Sequence, residues 1–311
     1  MALVTTFVTA SQYQCSIEQR EWREIQSFTK ENFPLMPVVY QRDDTDRVEL
    51  EQLRRISDRD FLLSNYATTP VTVSSSNTFS QGLFHMQFDE YVHHMSERDQ
   101  LRDKANESYY FFGNNYAGIW STMSDLYVNP PCHYCDKAGA KTLGIGGKSS
   151  GVSFHFHGMG FSEVIIGRKR WYLFPPSLSP LLSHFSPNCT AEQIILDITT
   201  MRTAPEAQVY VDVDSTSHVQ ALHPLASNNP LIDNNAHTTA EGGSSSSSSL
   251  PPYFHTHPES LQQLRDGLVA CDIGPGDVLY FPPMWMHATT NLDAYNVFFS
   301  LFLDPVLMRG D

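Results

Sequence analysis

Three histidines stand at spacings that suit a metal. His155 and His157 are one residue apart, and His287 lies far downstream in Trp285-Met286-His287. On a strand, side chains repeat every two residues, so His155 and His157 share a face. Around them Val152, Phe154 and Phe156 alternate with Ser153, His155 and His157, which predicts one apolar face and one imidazole face. Downstream, Ile273-Gly274-Pro275-Gly276-Asp277 reads as a tight turn feeding a buried strand through Val278-Leu279-Tyr280-Phe281, with His287 beyond it. Three imidazoles from two neighbouring barrel strands would hold one face of a metal and leave the opposite positions open. Mononuclear non-haem iron oxygenases use that geometry, normally with two histidines and a carboxylate.

Positioning such a cluster requires a barrel, and the pattern supplies its strands. Residues 142–145, 153–157, 162–166, 170–174, 269–273, 277–281 and 296–302 read as core strands, and 37–40, 70–73 and 109–112 as further strands. Helices are expected over 15–32 (from Ile17, Trp22, Ile25 and Phe28), 58–66 (capped by Ser57 or Asp58), 88–95 and 119–127. The glycine-rich run 146–151 lacks the phosphate-loop spacing and sits between two strands, so it reads as a hairpin loop. The fold class is mainly β with flanking helices.

His155 and His157, then Gly167-Arg168-Lys169-Arg170-Trp171-Tyr172, then Gly276-Asp277-Val278-Leu279-Tyr280-Phe281-Pro282 and Trp285-Met286-His287 together resemble the JmjC branch of the cupin-like oxygenases. The similarity extends to Tyr110-Phe111-Phe112-Gly113, to 76–79 and to the region of Cys15, and it covers most of the chain outside roughly 195–265. It implies a double-stranded β-helix (jelly-roll) barrel with His155, His157 and His287 around Fe(II). It also implies 2-oxoglutarate as cosubstrate, its distal carboxylate held by Lys169. Taken without the resemblance, 167–170 reads as a solvated basic turn.

Two residues depart from the family pattern. His157 stands where a carboxylate is usual; an imidazole donates less charge, so the metal would keep an extra positive charge. Zinc or copper would also suit three imidazoles. Val152 stands where the family has a hydroxyl near the distal carboxylate, and Ser153 falls on the other strand face, so the cosubstrate site reads as incomplete. Glu163 alternates with Ser162 and Val164 and is weighed equally as a salt-bridge partner and as a substitute ligand. Trp171, Tyr280, Phe281 and Trp285 read as barrel packing.

Among five cysteines, Cys132-His133-Tyr134-Cys135 has the form of a redox motif or half a zinc site. No second such pair exists, and a local loop clip or two free thiols is the preferred reading. The resemblance extends to Cys15 and Cys271, implying a pair in an oxidising lumen. Asn106-Glu107-Ser108 and Asn188-Cys189-Thr190 are glycosylation sequons, both placed where a member of the family carries one. Residues 1–14 end a short apolar run in a Val-x-Ala pattern without a basic start, the form of a weak or truncated signal segment. The expected location is the endoplasmic reticulum lumen, with the cytoplasm as alternative.

The 311 residues, 41% of them hydrophobic, suffice for one substantial core. A net charge of −14 argues against a nucleic-acid partner. No apolar run approaches the ~20 residues that span a bilayer. From 15 to 311 the chain reads as one domain interrupted at about 205–252 by a low-complexity insertion rich in Asn, Gly and Ser. His218, His223, His237, His255 and His257 lie in or beside it and read as solvated loop. Three functions compete: a protein hydroxylase dependent on Fe(II) and 2-oxoglutarate; a JmjC-fold protein without turnover that regulates a protein partner; and a small-molecule cupin enzyme with a three-histidine iron. Lys169 favours the first, His157 and Val152 the second.

Overall fold

Two sheets face each other across a shared apolar interior, and helices cover both outer faces. The computed structural model describes residues 15–303 except 30–31, 43, 76–82, 99–108, 114, 137–138, 186–188, 190 and 201–249. The signal-like segment, most of the insertion, and both Asn106 and Asn188 lie outside the described residues.

In chain order the strands are β1 (Glu18–Glu21), β2 (Val38–Gln41), β3 (Pro70–Ser75), β4 (Leu83–Gln87), β5 (Tyr109–Phe112), β6 (Gly139–Gly146), β7 (Gly151–His155), β8 (Gly160–Ile166), β9 (Lys169–Phe174), β10 (Val269–Ile273), β11 (Asp277–Phe281), β12 (Met286–Asn291) and β13 (Asn296–Leu303). The helices are α1 (Asp44–Ser57), α2 (Arg59–Tyr66), α3 (Phe88–Arg98), α4 (Ile119–Leu126), α5 (Ser179–Leu182), α6 (Ala191–Thr200), α7 (Pro252–Thr256) and α8 (Pro258–Gly267). The larger sheet runs β1-β2-β11-β8-β13-β6-β5-β3-β4 and the smaller β10-β9-β12-β7. This is the jelly-roll architecture expected from the sequence.

Alternation assigns each strand's faces. In β13, Val297 and Phe299 pack under α1–α4 and Leu301 and Leu303 under the amino-terminal segment, while Phe298 enters the space between the sheets. Burial on both faces explains why this strand is a nearly continuous apolar run; each such side chain contributes about 1.5–3 kcal/mol. In β9, Trp171 and Leu173 face the interior, whereas Tyr172 and Phe174 lie under α5–α8. Trp171, Phe281 and Trp285 belong to the interior cluster and Tyr280 to the outer one, so the four aromatics are packing, as read.

Several expectations change. Residues 15–32 do not form an α-helix: β1 pairs in parallel with β2, and a 3₁₀ turn follows over Trp22–Ser27. Trp22, Ile25 and Phe28 recur every three residues, the period of a 3₁₀ helix, and the Cys15–Cys271 disulfide and a bond from the Ser16 amide to the Ala270 carbonyl hold this segment extended against β10. The run 146–151 is no hairpin, because β6 and β7 belong to different sheets; it is a corner between them. Gly151 makes that corner possible, since a Cβ there would collide with the Thr289 backbone carbonyl. His255 lies in the short helix α7, exposed as expected but not in a loop. Asp58 does cap α2, accepting from the amides of Asp60 and Phe61. Cys132 and Cys135 form a local disulfide.

Candidate metal centre

The end of β7 and the start of β12 bring the histidines together. His155 and His287 are opposed in the antiparallel register of these strands, and their ring centroids are 4.2 Å apart. His157 follows β7, its ring 4.7 Å from that of His287 and 5.3 Å from that of His155. One nitrogen from each ring can be chosen so that all three lie within 4.8 Å of one another. The loop between β11 and β12 secures this approach. Met284 adopts a left-handed backbone (φ 66°), and its amide donates to the His157 carbonyl at 2.9 Å. Next to it, buried Trp285 anchors the loop in the interior cluster.

Each imidazole is oriented by a neighbouring backbone carbonyl. The Nδ1 atoms of His155, His157 and His287 lie 2.8, 2.7 and 2.8 Å from the carbonyl oxygens of Ser153, Gly158 and Trp285. A carbonyl only accepts, so each Nδ1 carries the proton and each Nε2 presents a lone pair. Burial holds His155 down to about 4, aided by the nearby His157 and Lys169 charges and opposed by the Ser153 carbonyl. Burial also lowers His157, and it puts His287 well below the ordinary histidine value. Three neutral rings that can each bring one nitrogen within 4.8 Å of the others suit a divalent cation, with nitrogen ligands at roughly 2.0–2.1 Å. This donor set fits a metal.

Burial of these rings has a measurable consequence in metal-free protein. Between about pH 4 and 6.5 the unfolded chain protonates His155 while the folded chain does not. Stability is therefore fullest above 6.5 and falls as pH drops. From about pH 7.5 to about pH 5 the loss is expected to be about 2 kcal/mol from His155 alone, with His157 and His287 shifted in the same direction. Urea unfolding in chelator at the two pH values measures it, and His155→Asn should flatten the dependence.

Beyond the histidines, the interior wall is polar, and Lys169 faces inward as the family resemblance implies. Lys169 is 2% exposed and has no carboxylate partner among the described residues; burial drives it well below the ordinary lysine value. Its Nζ lies 2.8 Å from the Tyr110 hydroxyl and 3.3 Å from the centroid of the Phe298 ring. The reading of 167–170 as a solvated turn holds for Arg168, whose exposed side chain pairs with Asp293, but not for Lys169. Trp171 Nε1 is buried with no hydrogen-bond partner among the described residues, and the Thr289 hydroxyl is buried beside the Tyr110 phenol. An anionic group entering here would meet a buried lysine and the Trp171 indole N–H, a lining that fits a carboxylate.

The strand faces are not the simple alternation expected. A bulge in the β7–β12 pairing sets Thr289 opposite Val152 instead of Ser153. Val152 thereby joins the interior cluster on the side of His155, although they are three positions apart, and Phe154 packs outward under α6–α8. Glu163 is no ligand: it lies on the outer face of β8, where Arg42 pairs with it through bonds of 2.7 and 2.8 Å. The sequence pattern assigns no role to Thr289 or Arg42, and it marks Tyr110 only as part of the stretch that carries the family likeness. The signal for Tyr110 was the aromatic strand it occupies; for Thr289 it was the two-residue step from His287.

A jelly-roll with three histidines on adjacent strands defines a cupin-type metal-site fold, and comparison assigns the class. Residues 19–306 match the family model for the cupin-like domain, and the chain belongs to the cupin-like JmjC family. It is 31% identical over 294 residues to JmjC domain-containing protein 8 of Homo sapiens, covering 94% of this chain and 86% of that relative. The proteins of the same name from Mus musculus and Rattus norvegicus are each 30% identical, over 289 and 301 residues. They cover 93% and 97% of this chain, and 82% and 87% of the relative.

Proposed function

We propose that this protein is an Fe(II)- and 2-oxoglutarate-dependent oxygenase that hydroxylates a side chain of a partner protein in the endoplasmic reticulum lumen. The observation that carries the reading is the pairing of two features in one barrel mouth: three imidazoles with a nitrogen each within 4.8 Å of the others, and a buried lysine with no carboxylate partner among the described residues. His155, His157 and His287 would hold the iron, which with 2-oxoglutarate and O₂ would supply oxidation of a substrate C–H bond to an alcohol, the second oxygen atom going into succinate with release of CO₂. The chain's own part is to hold the three imidazoles neutral, to offer Lys169 to the distal carboxylate, and to keep water away with Trp171, Phe281 and Phe298. Substrate enters from the side of His155 and His157, which are half-buried, past the exposed ring of Phe156. The Cys15–Cys271 and Cys132–Cys135 disulfides support an oxidising compartment. Among the described residues no helix is long and apolar enough to cross a membrane.

His157 in the carboxylate position favours a second reading, a protein-binding regulator that has lost turnover. Metal analysis of purified protein, with succinate production measured beside it, separates the two. His157→Asp is expected to restore a two-histidine, one-carboxylate set, to tighten Fe(II) binding by roughly 10-fold or more, and to raise 2-oxoglutarate consumption. Lys169→Ala in the same background should remove the gain in consumption. A natural chain that turns over vigorously and loses activity on His157→Asp would show the three-histidine site to be the working one.

A further inference from the structure

Strands β2, β11, β8 and β13 finish level with one another at the mouth that holds the histidines. Val38 pairs with Tyr280 and Tyr280 with Phe161, which aligns the start of β2, the end of β11 and the start of β8. Gly160 is matched with Phe302 near the end of β13. These ends adjoin the metal centre: the Phe281 and Phe302 rings lie 5.2 and 4.8 Å from that of His157. Met284, in the loop after β11, donates its amide to the His157 carbonyl.

The side chains around this mouth are apolar, and several face solvent. Leu35 and Met36, just before β2, are 87% and 57% exposed; Phe156 and Met284 are exposed as well, and Met159 is half-buried. Ten large apolar side chains are exposed among the described residues, and four of them belong to these three segments. Singly exposed apolar residues are ordinary, whereas a cluster of them marks an interaction surface. The aligned strand ends set Met36 and Met159 two strand spacings apart, about 10 Å, with the second sheet about 10 Å across. That span exceeds one side chain and suits several residues of extended polypeptide, at about 3.3 Å each.

Charge decides what kind of segment fits. The four stretches that meet here, 33–41, 151–162, 278–292 and 295–303, contain no Asp, Glu, Lys or Arg, in a chain of net charge −14. A charged side chain pressed on such a rim would lose water and gain no partner. A membrane surface fits poorly, since binding there draws on Lys and Arg beside the apolar residues, and the overall charge opposes anionic headgroups. Met36, Met159 and Met284 are flexible and polarisable, which lets the rim accept apolar side chains of differing shape. We propose that this mouth is a docking surface for an uncharged, apolar stretch of extended polypeptide, one of whose side chains it delivers to the histidines. The delivery rests on the oxygenase reading; the docking does not.

The test is fluorescence anisotropy of labelled peptides of about twelve residues, roughly 40 Å when extended, titrated with the full chain loaded with Mn(II). One peptide is built from Leu, Val, Phe, Asn and Gly; two others carry Lys or Glu at every third position. The uncharged peptide should bind at least about 10-fold more tightly than either charged one. Leu35→Glu and Met36→Glu should each weaken its binding by about 10-fold. Neither should alter Mn(II) affinity or the melting temperature, since both side chains stand in solvent. Leu196→Glu, at an exposed position on α6, should change nothing. Equal affinity for the three peptides, or binding that survives both rim substitutions, would overturn the inference. So would binding of phosphatidylcholine vesicles but not of the peptides, which gives the rim to lipid. A dimer that Met36→Glu dissociates, with no peptide binding, would overturn it in favour of a second copy of this chain. Peptide binding by a chain that binds no 2-oxoglutarate would sustain the docking surface while the oxygenase reading fails.

Discussion

Replacing His287 with alanine is expected to lower divalent-metal affinity by at least about 100-fold. Altering only the groups that orient a metal ligand commonly costs 10- to 100-fold, and losing the ligand itself costs more. His287 is also the member that the other two cannot replace. His155 and His157 come from one short segment, and His287 alone reaches the cluster from β12. Its ring is packed on Trp171 and Phe281, with centroids 5.6 and 5.1 Å away, which fixes it in the interior wall. Titration with Mn(II) or Zn(II) measures the loss. Because the substitution leaves the Trp285 carbonyl without its donor, His287→Gln serves as companion, keeping a side-chain donor in that space. Unchanged metal binding by both variants would mean that the triad is not the site.

How much of this could be read from the chain depends on the range of the interaction concerned. The His155/His157 pair and the turn before β11 are local patterns, and both led to the cluster the fold assembles. The barrel strands were likewise legible, because burial on one or both faces leaves a clear apolar pattern. The bulge in β7 was not. It falls between Val152 and His155, and it moved Val152 onto the same interior face as His155. Strand period alone cannot signal such a shift. Lys169 shows the opposite limit, since composition made 167–170 a solvated turn and only family likeness placed the lysine inward. Two segments failed for local reasons. Trp22, Ile25 and Phe28 suggest a helical stripe although their spacing is that of a 3₁₀ turn, and α1 has no clear apolar pattern because its sequence is dominated by charged and polar residues. Arg42 had no sequence signal at all. Its partner is 121 residues away, and only the pairing of β2 and β8 with β11 brings the two together.

That pair supports the second large effect. Arg42→Met is expected to destabilise the protein by about 3–5 kcal/mol, the usual cost of leaving one member of a buried ion pair alone. Both side chains are fully buried, and the guanidinium meets both Glu163 oxygens, donates to the Val128 carbonyl at 2.7 Å, and lies 4.0 Å from the centroid of the Trp22 ring. Removing it strands a carboxylate in an apolar layer formed by the amino-terminal 3₁₀ turn, β2 and β8. Removing both charges is a different matter, because desolvation of the pair offsets much of its attraction. Arg42→Met with Glu163→Leu should therefore recover most of the loss, and urea unfolding of the four proteins in the cycle gives the coupling. Its bearing on the metal centre is mechanical. Glu163 lies on the outer face of β8, which pairs with β11, and β11 carries the Phe281 ring against His157 and His287. If the pair serves only to seat β8, the double variant should bind metal as the natural chain does, whereas Arg42→Met alone should bind it less tightly. Weak binding in the double variant despite restored stability would instead show that the charges themselves act on the site.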